Sequence, residues 1–216
     1  MPAFIPDLSV ILTFALAALV LAITPGPDMA LQLSRAINYG RAHGFATGAG
    51  AMTGIAVHTS LVALGISVLI VAAPAAFLAL KIAGAVYLIW LAYQAIVHGG
   101  GLHLAAKAKR IPSLRESYLT GVGINLLNPK VVLFFLTFLP QFVDRHDAAA
   151  PGKLFFLGAE FILLSIPLSI AGVIGAQWLA RLFTKSKWVE KALNWSFAGV
   201  FMTFAATILF AEGRAR

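Results

Sequence analysis

The chain of 216 residues contains no cysteine, and only 11% of its residues are charged. The first absence excludes a thiol redox relay, a Cys-ligated iron–sulfur cluster and a lipid-modified N-terminal cysteine. The second excludes an ordinary water-soluble domain, whose surface calls for roughly 25% charged residues. Acidic residues are scarce too: 8 Asp and Glu stand against 16 Lys and Arg, a formal net charge of +8. What abounds is apolar, 60% of the chain, with a mean hydropathy of +0.90. The natural solvent of such a chain is a lipid bilayer. In that setting the basic excess reads as loop charge at the cytoplasmic ends of spans, with no nucleic acid as partner. Residues 1 to 7, MPAFIPD, hold no Lys or Arg, so the first apolar segment reads as structure and not as a removable signal peptide.

Crossing ~30 Å of hydrocarbon takes about 20 apolar residues, and charges and turn residues divide the chain into six such runs. The first extends from Leu8 past a Pro-Gly-Pro break to Gly40, the second from Gly44 to Ala72, and the third from Pro74 to Val97. After the polar stretch HGGGLHLAAKAKRIPSLRES, the fourth runs from Tyr118 to Val143 with an interruption at Asn128 and Pro129. The fifth lies between Lys153 and Leu182, the sixth between Val189 and Ala211.

The two halves read as weak copies. TPGPDMAL in the first run corresponds to LLNPKVVL in the fourth, setting Pro27 on Pro129 and Asp28 on Lys130. Phe45 to Gly48 correspond to Phe155 to Gly158, and Ala83 and Gly84 to Ala198 and Gly199, in the same order. Three spans per repeat is an odd number, so the second copy enters the membrane inverted. The expected fold is an all-α polytopic membrane protein of six transmembrane helices in two inverted three-helix repeats, the first and fourth helices broken at Pro-Gly-Pro and Asn-Pro-Lys. It forms one transmembrane domain over 1–216: repeat one at 1–97, a cytoplasmic linker at 98–116 and repeat two at 117–211.

Basic residues set the orientation. Arg35, Arg41, Lys107, Lys109, Arg110, Arg115, Arg181, Lys185, Lys187 and Lys191 fall on one side, and Lys81, Arg145, Lys153, Arg214 and Arg216 on the other. The richer side is expected in the cytoplasm and both termini in the periplasm.

Pro25, Gly26 and Pro27 should interrupt the first span, and Pro129 the fourth, because a proline removes one backbone hydrogen bond and clashes with the carbonyl four residues back. Broken backbone at membrane depth is tolerated only where protein or a wet cavity satisfies the freed polar groups. Two matched breaks therefore point to one cavity, or else to two kinks without a ligand. Beyond each break one polar helical face is expected, Asp28, Gln32 and Arg35 on the first and Lys130, Thr137 and Gln141 on the second, with Met29, Leu33, Ile37, Val131 and Leu133 pointing elsewhere. A charge at mid-membrane costs about 2.5–3.5 kcal/mol on insertion scales, so neither Asp28 nor Lys130 is expected to face lipid. Facing one cavity, they complement a zwitterion; the plainer alternative is an ion pair joining the halves. Glu160, in an apolar run, and His58, on a strip of small residues, are further proton-coupling candidates with Asp28. Each has a plain reading as a hydrogen-bonded core residue. Gly40, Gly44 and Gly48, and Gly50 and Gly54, form stripes that bring helices into close contact. The Gly-rich linker lacks the Gly-Lys-Ser/Thr ending of a phosphate loop.

TPGPDMAL, the Gly-rich start of the second run and GINLLNPKVVLFFLTFLPQFV in the fourth closely resemble the LysE/RhtB family of amino-acid exporters, and the length and six runs fit over essentially the whole chain. The resemblance implies a bacterial inner-membrane secondary exporter of small amino acids or their derivatives, driven by the proton gradient, with no organic cofactor and no bound metal. It singles out Pro25, Gly26, Pro27, Asn125, Asn128, Pro129, Lys130, Pro140 and Gln141, with Asp28 as a residue that tunes substrate choice. The expected substrate-binding set is thus Pro25, Gly26, Pro27, Asp28, Gln32, Asn125, Asn128, Pro129 and Lys130. Its partners are a small amino acid, protons and lipid, with room for a homo-oligomer. Two rival functions remain at this stage. A divalent-metal efflux carrier would need Asp28, Glu160 and His58 to converge; an intramembrane enzyme would need a nucleophile that no motif supplies.

Overall fold

The computed structural model describes residues 3–66, 110–144 and 147–185, with scattered positions between 82 and 97 and between 188 and 206. The third and sixth runs and most of the linker, with Lys107 and Lys109, therefore lie largely outside the described residues, as does the correspondence of Ala83 and Gly84. The described secondary structure is helical throughout. Helix α1 (Leu8–Ile23) is followed by α2 (Pro27–Tyr39) and α3 (Arg41–Leu61), which continues into a π-helical turn at Val62–Ile66. In the second half α4 (Leu114–Leu127) precedes α5 (Pro129–Leu133), which passes into a π turn at Phe134–Phe138 and a 3-10 turn at Leu139–Phe142. Helix α6 (Ala150–Ile174) and α7 (Ala176–Lys185) follow.

Both expected breaks are present. Pro27 and Pro129 each open a new helix at its first position, where the missing N–H costs nothing. The bend between α1 and α2 is 52°, and that between α4 and α5, with its continuation to Phe142, is also 52°. Helix α3 with its π turn, and α6, are long and apolar enough to cross a membrane, and each bent pair would make one more span.

Three boundaries differ from the sequence reading. Helix α4 starts at Leu114 inside the polar stretch, because Ser113 and Glu116 form a capping box in which each side chain bonds the other's backbone N–H. The fifth run is two helices, since the chain turns at Gly175 between α6 and α7. After α5 the α-helical spacing assumed for Lys130, Thr137 and Gln141 is not kept. Pro140 has no N–H to offer Leu136, the backbone tightens into a 3-10 turn, and Gln141 donates to the carbonyl of Thr137 at 2.7 Å.

Glycines set how the helices meet. A Cβ on Gly50 would fall 2.1 Å from the Tyr118 carbonyl oxygen, and one on Gly121 2.2 Å from that of Thr47, so α3 and α4 touch backbone to backbone. The other face of α3, at Gly44 and Gly48, meets Ala36 and Gln32 of α2 and Val173 and Ser169 of α6. These contacts fix directions. His43 meets Ser117 and Gly54 meets Asn125, so α3 and α4 run parallel. Gly48 meets Ser169 and Thr59 meets Gly158, so α6 runs against α3. The α1–α2 arm likewise opposes the α4–α5 arm: Phe14 packs on Phe134 and Phe142, while Leu21 and Thr24 meet Lys130.

The contacts also exchange under the correspondence between halves. Setting Gly48 on Gly158 and Thr59 on Ser169 turns the Gly48–Ser169 contact into the Gly158–Thr59 contact. At the breaks, setting Gly26 on Asn128 and Asp28 on Lys130 turns the Gly26–Lys130 contact into the Asn128–Asp28 hydrogen bond.

Candidate functional site

The breaks create the site because each leaves backbone polar groups without helical partners. In an unbroken helix the N–H of residue 25 would donate to the carbonyl of Leu21; Pro25 has none. The Lys130 ammonium takes its place, donating to Leu21 O at 3.1 Å and to Thr24 O at 2.8 Å. Lys130 lies in the first turn of α5, the positive end of that helix, an unfavourable place for a cation. Its side chain corrects this by crossing to the carbonyl end of α1, where positive charge is favoured. Gly26 makes room for the crossing: a Cβ there would lie 3.2 Å from Lys130 Nζ. The glycine favours that approach; its extended backbone is open to any residue.

Asp28 lies in the first turn of α2, the favourable end for an anion. Its Oδ2 accepts from the side-chain amides of Asn125 at 3.0 Å and Asn128 at 2.9 Å. Asn128 also caps α5, its Oδ1 accepting from the Lys130 backbone N–H at 3.1 Å. The α1 break is thus completed by Lys130 of the opposite half, while the α5 start is capped by its own Asn128, whose amide in turn holds Asp28. Asp28 and Lys130 do not form the ion pair weighed as the plainer alternative: the carboxylate is held by two amides and the ammonium by two carbonyls. Both charges have nearer hydrogen-bond partners than each other.

Beside these groups lies a cavity of about 340 Å³, lined at its polar end by Asp28, Gln32, Asn125 and Lys130. That volume falls within the range of about 300–1,000 Å³ typical of small-molecule sites. Its other walls are mainly apolar, with Met52, Val131, Phe161 and Trp178 among them. Met29 and Leu33, expected to point away from the polar face, line it as well. Two buried acceptors of lining residues have no hydrogen-bond donor, Asp28 Oδ1 and Asn125 Oδ1. Asn125 Oδ1 is turned to α3, where a Cβ on Gly54 would lie 2.4 Å from it, so Asp28 Oδ1 is the acceptor of the pair left for a ligand's donor.

The other expected residues take supporting places. Pro25, Gly26, Pro27, Asn128 and Pro129 shape the breaks and do not line the cavity. His58 is buried, its Nε2 3.4 Å from the Asn125 carbonyl oxygen and its ring stacked on Phe135 at 5.9 Å. His58 does not line the cavity, and neither does Glu160, whose Oε2 is buried without a partner. Among the described residues no three His, Asp or Glu side chains come together as a metal would require. Gln141 Oε1 is likewise buried and unpartnered, away from the lining.

Ser165 and Ser169 of α6, which line the cavity, were not anticipated. Ser169 accepts from Gln32 Nε2 at 2.5 Å, tying α6 to the polar face of α2. A signal for them exists in hindsight: two serines four residues apart bracketing Pro167 within an apolar span.

Helices long and apolar enough to span a membrane, with two bent pairs meeting at a largely apolar cavity that has one polar end, have the make-up of a carrier. The LysE type translocator family model matches residues 19–212, and the chain belongs to that family, whose members are transporters and not enzymes. The chain is 30% identical over 205 residues to a homoserine/homoserine lactone efflux protein of Salmonella typhimurium, covering 92% of this chain and 95% of that one. It is 29% identical over 202 residues to a leucine efflux protein of Klebsiella pneumoniae, covering 91% and 93%. An uncharacterized membrane protein of Bacillus subtilis, YrhP, is 27% identical over 214 residues, covering 94% and 96%. No solved structure matches the chain.

Proposed function

We propose that this protein is a proton-coupled secondary exporter of a small zwitterionic amino acid or derivative in the bacterial inner membrane. In this reading it is built as two inverted three-helix repeats with both termini in the periplasm. The observation that carries it is the cavity at the paired breaks, whose polar end brings Asp28, Gln32 and Asn125 together with the Lys130 ammonium. A substrate ammonium supplies the donor that Asp28 Oδ1 lacks. Its carboxylate meets the free N–H groups at the start of α2 and the third N–H of Lys130. The apolar remainder of the cavity takes the side chain.

The inverted-repeat reading is supported by the equal bends, the opposed helix directions and the contacts that exchange between halves. Export is supported by the relatives named as efflux proteins. Asp28 is the acid in the site itself, offered to the substrate ammonium; Glu160 and His58 do not line the cavity.

Counterflow of a labelled amino-acid panel in proteoliposomes, with and without an imposed pH gradient, tests the reading. Exchange of one or more neutral amino acids, accelerated by the gradient, is expected. Exchange of a divalent metal and of no amino acid would falsify it.

A further inference from the structure

The Lys130 side chain occupies a place that in a broken membrane helix is otherwise filled by water or a bound cation. Pro25 strips the Leu21 carbonyl of its helical donor, and the break at Thr24 frees a second carbonyl; both oxygens converge on one ammonium. That ammonium belongs to the opposite half, so its charge ties the end of α1 to α5 across the cavity. We propose that Lys130 is a tethered cation that also carries the coupling proton, clamping the α1 break while charged and releasing it when neutral. The inference rests on the transport reading above and names the group through which protons enter it.

The chemistry balances simply. On the side where the proton is given up, one Nζ–H bond breaks, the proton passes to cavity water and the electron pair stays on nitrogen. The neutral amine has no charge to set against the carbonyl end of α1, so α1 can part from α5. On the other side Nζ takes a proton from water and the clamp re-forms. Among the described residues the ionisable group bearing on Lys130 is Asp28 on α2; His58 on α3, bonded to the Asn125 carbonyl, bears on Asp28. The described parts of α1, α4 and α6 at the cavity present carbonyls, asparagine amides and serine hydroxyls. Asp28 keeps its own two amide partners, so the Lys130 proton is not neutralised within a closed ion pair.

The test uses the full chain in proteoliposomes, with monodispersity in detergent checked for each variant. Lys130→Ala should lower counterflow by about tenfold to a hundredfold, the scale of charge-assisted hydrogen bonds lost in a low dielectric. Propylamine, which restores the deleted atoms, should recover transport. 3,3,3-Trifluoropropylamine, a weaker base of like length, should recover it with the pH midpoint moved down by the difference between the two amines' pKa values. Lys130→Arg, charged at every working pH, should leave a reduced counterflow whose rate is flat with pH and deaf to a pH gradient. Lys130→Met, which keeps the packing of the stem, should behave as the Ala variant does without amine.

A Lys130→Arg or Lys130→Met protein that still answers the pH gradient as the wild type does would overturn the proposal. So would rescue by both amines with one common midpoint, which would leave Lys130 a merely structural prop. A wild-type protein that exchanges no amino acid defeats the transport reading first, whatever the variants do.

Discussion

Substituting alanine for Gly50 probes the central packing of the molecule. The added Cβ would lie 2.1 Å from the Tyr118 carbonyl oxygen and 2.9 Å from the Val122 nitrogen, both backbone atoms of α4. Ordinary contact begins near 3.4 Å, so the methyl is 1.3 Å short of room, and no flexible side chain can yield it. The helices must move apart, and among the described residues they form the most extensively packed pair. One turn away, Gly121 against the Thr47 carbonyl would be pulled open with them. Overpacking costs about 1–3 kcal/mol, occasionally more, and a backbone clash on both sides belongs at the upper end. Alanine returns about 0.8–1.0 kcal/mol of helix propensity over glycine. The net loss is about 2 kcal/mol, which for a chain of this size lowers Tm by roughly 4–8 °C. Gly123, on the same helix as Gly121 but with nothing within 4 Å of its Cβ among the described residues, is the control. Gly123→Ala gains propensity without a clash and should raise Tm by roughly 2–4 °C. Thermal melts in detergent followed by size-exclusion chromatography measure both. A Gly50→Ala protein as stable as wild type, or equal losses at Gly50 and Gly123, would refute the close α3–α4 crossing.

Asp28→Asn keeps the shape of the side chain but removes the negative charge offered to a substrate ammonium; apparent affinity in counterflow should fall by about tenfold or more, while the response to a pH gradient, carried by Lys130, should persist. Loss of that response with Lys130 intact would move the proton role to Asp28. Asn128→Ala removes the α5 cap, about 0.5–2 kcal/mol, together with one of the two amide bonds on Asp28; reduced Tm and reduced transport are expected together, and loss of neither would contradict the geometry. Asp147, in the loop before α6, bonds the Lys153 ammonium at 2.5 Å and accepts from the Ala149 N–H at 2.8 Å, which holds its carboxyl below the usual range. A depressed folded pKa contributes stability above the ordinary carboxylate range and loses it as pH falls through the lowered value. Asp147→Asn should therefore lower Tm at neutral pH and converge with wild type in acid; a gap that widens in acid would reverse the sign of the argument.

The sequence by itself determined the solvent, the helices and the breaks. Too few charges to cover a surface, and apolar runs long enough to cross lipid, leave no other home, while Pro25, Pro27 and Pro129 disrupt a helix by a local covalent cause that no tertiary context removes. The glycine stripes likewise announced close packing, because a missing Cβ is a local fact. Which backbone each glycine admits was decided only in three dimensions: Gly50 meets Tyr118, Gly48 meets Ser169 and Gly158 meets Thr59 across separations no local pattern encodes. The fate of the two central charges was decided there too. From the sequence, Asp28 and Lys130 read as two charges facing one cavity, or else as an ion pair; in the fold both line the cavity and each is bonded by nearer groups, two asparagine amides and two orphaned carbonyls. The reason is that opposite charges attract over distance, whereas hydrogen bonds are won by position, and position is set by where the chain on the far side of the cavity happens to break.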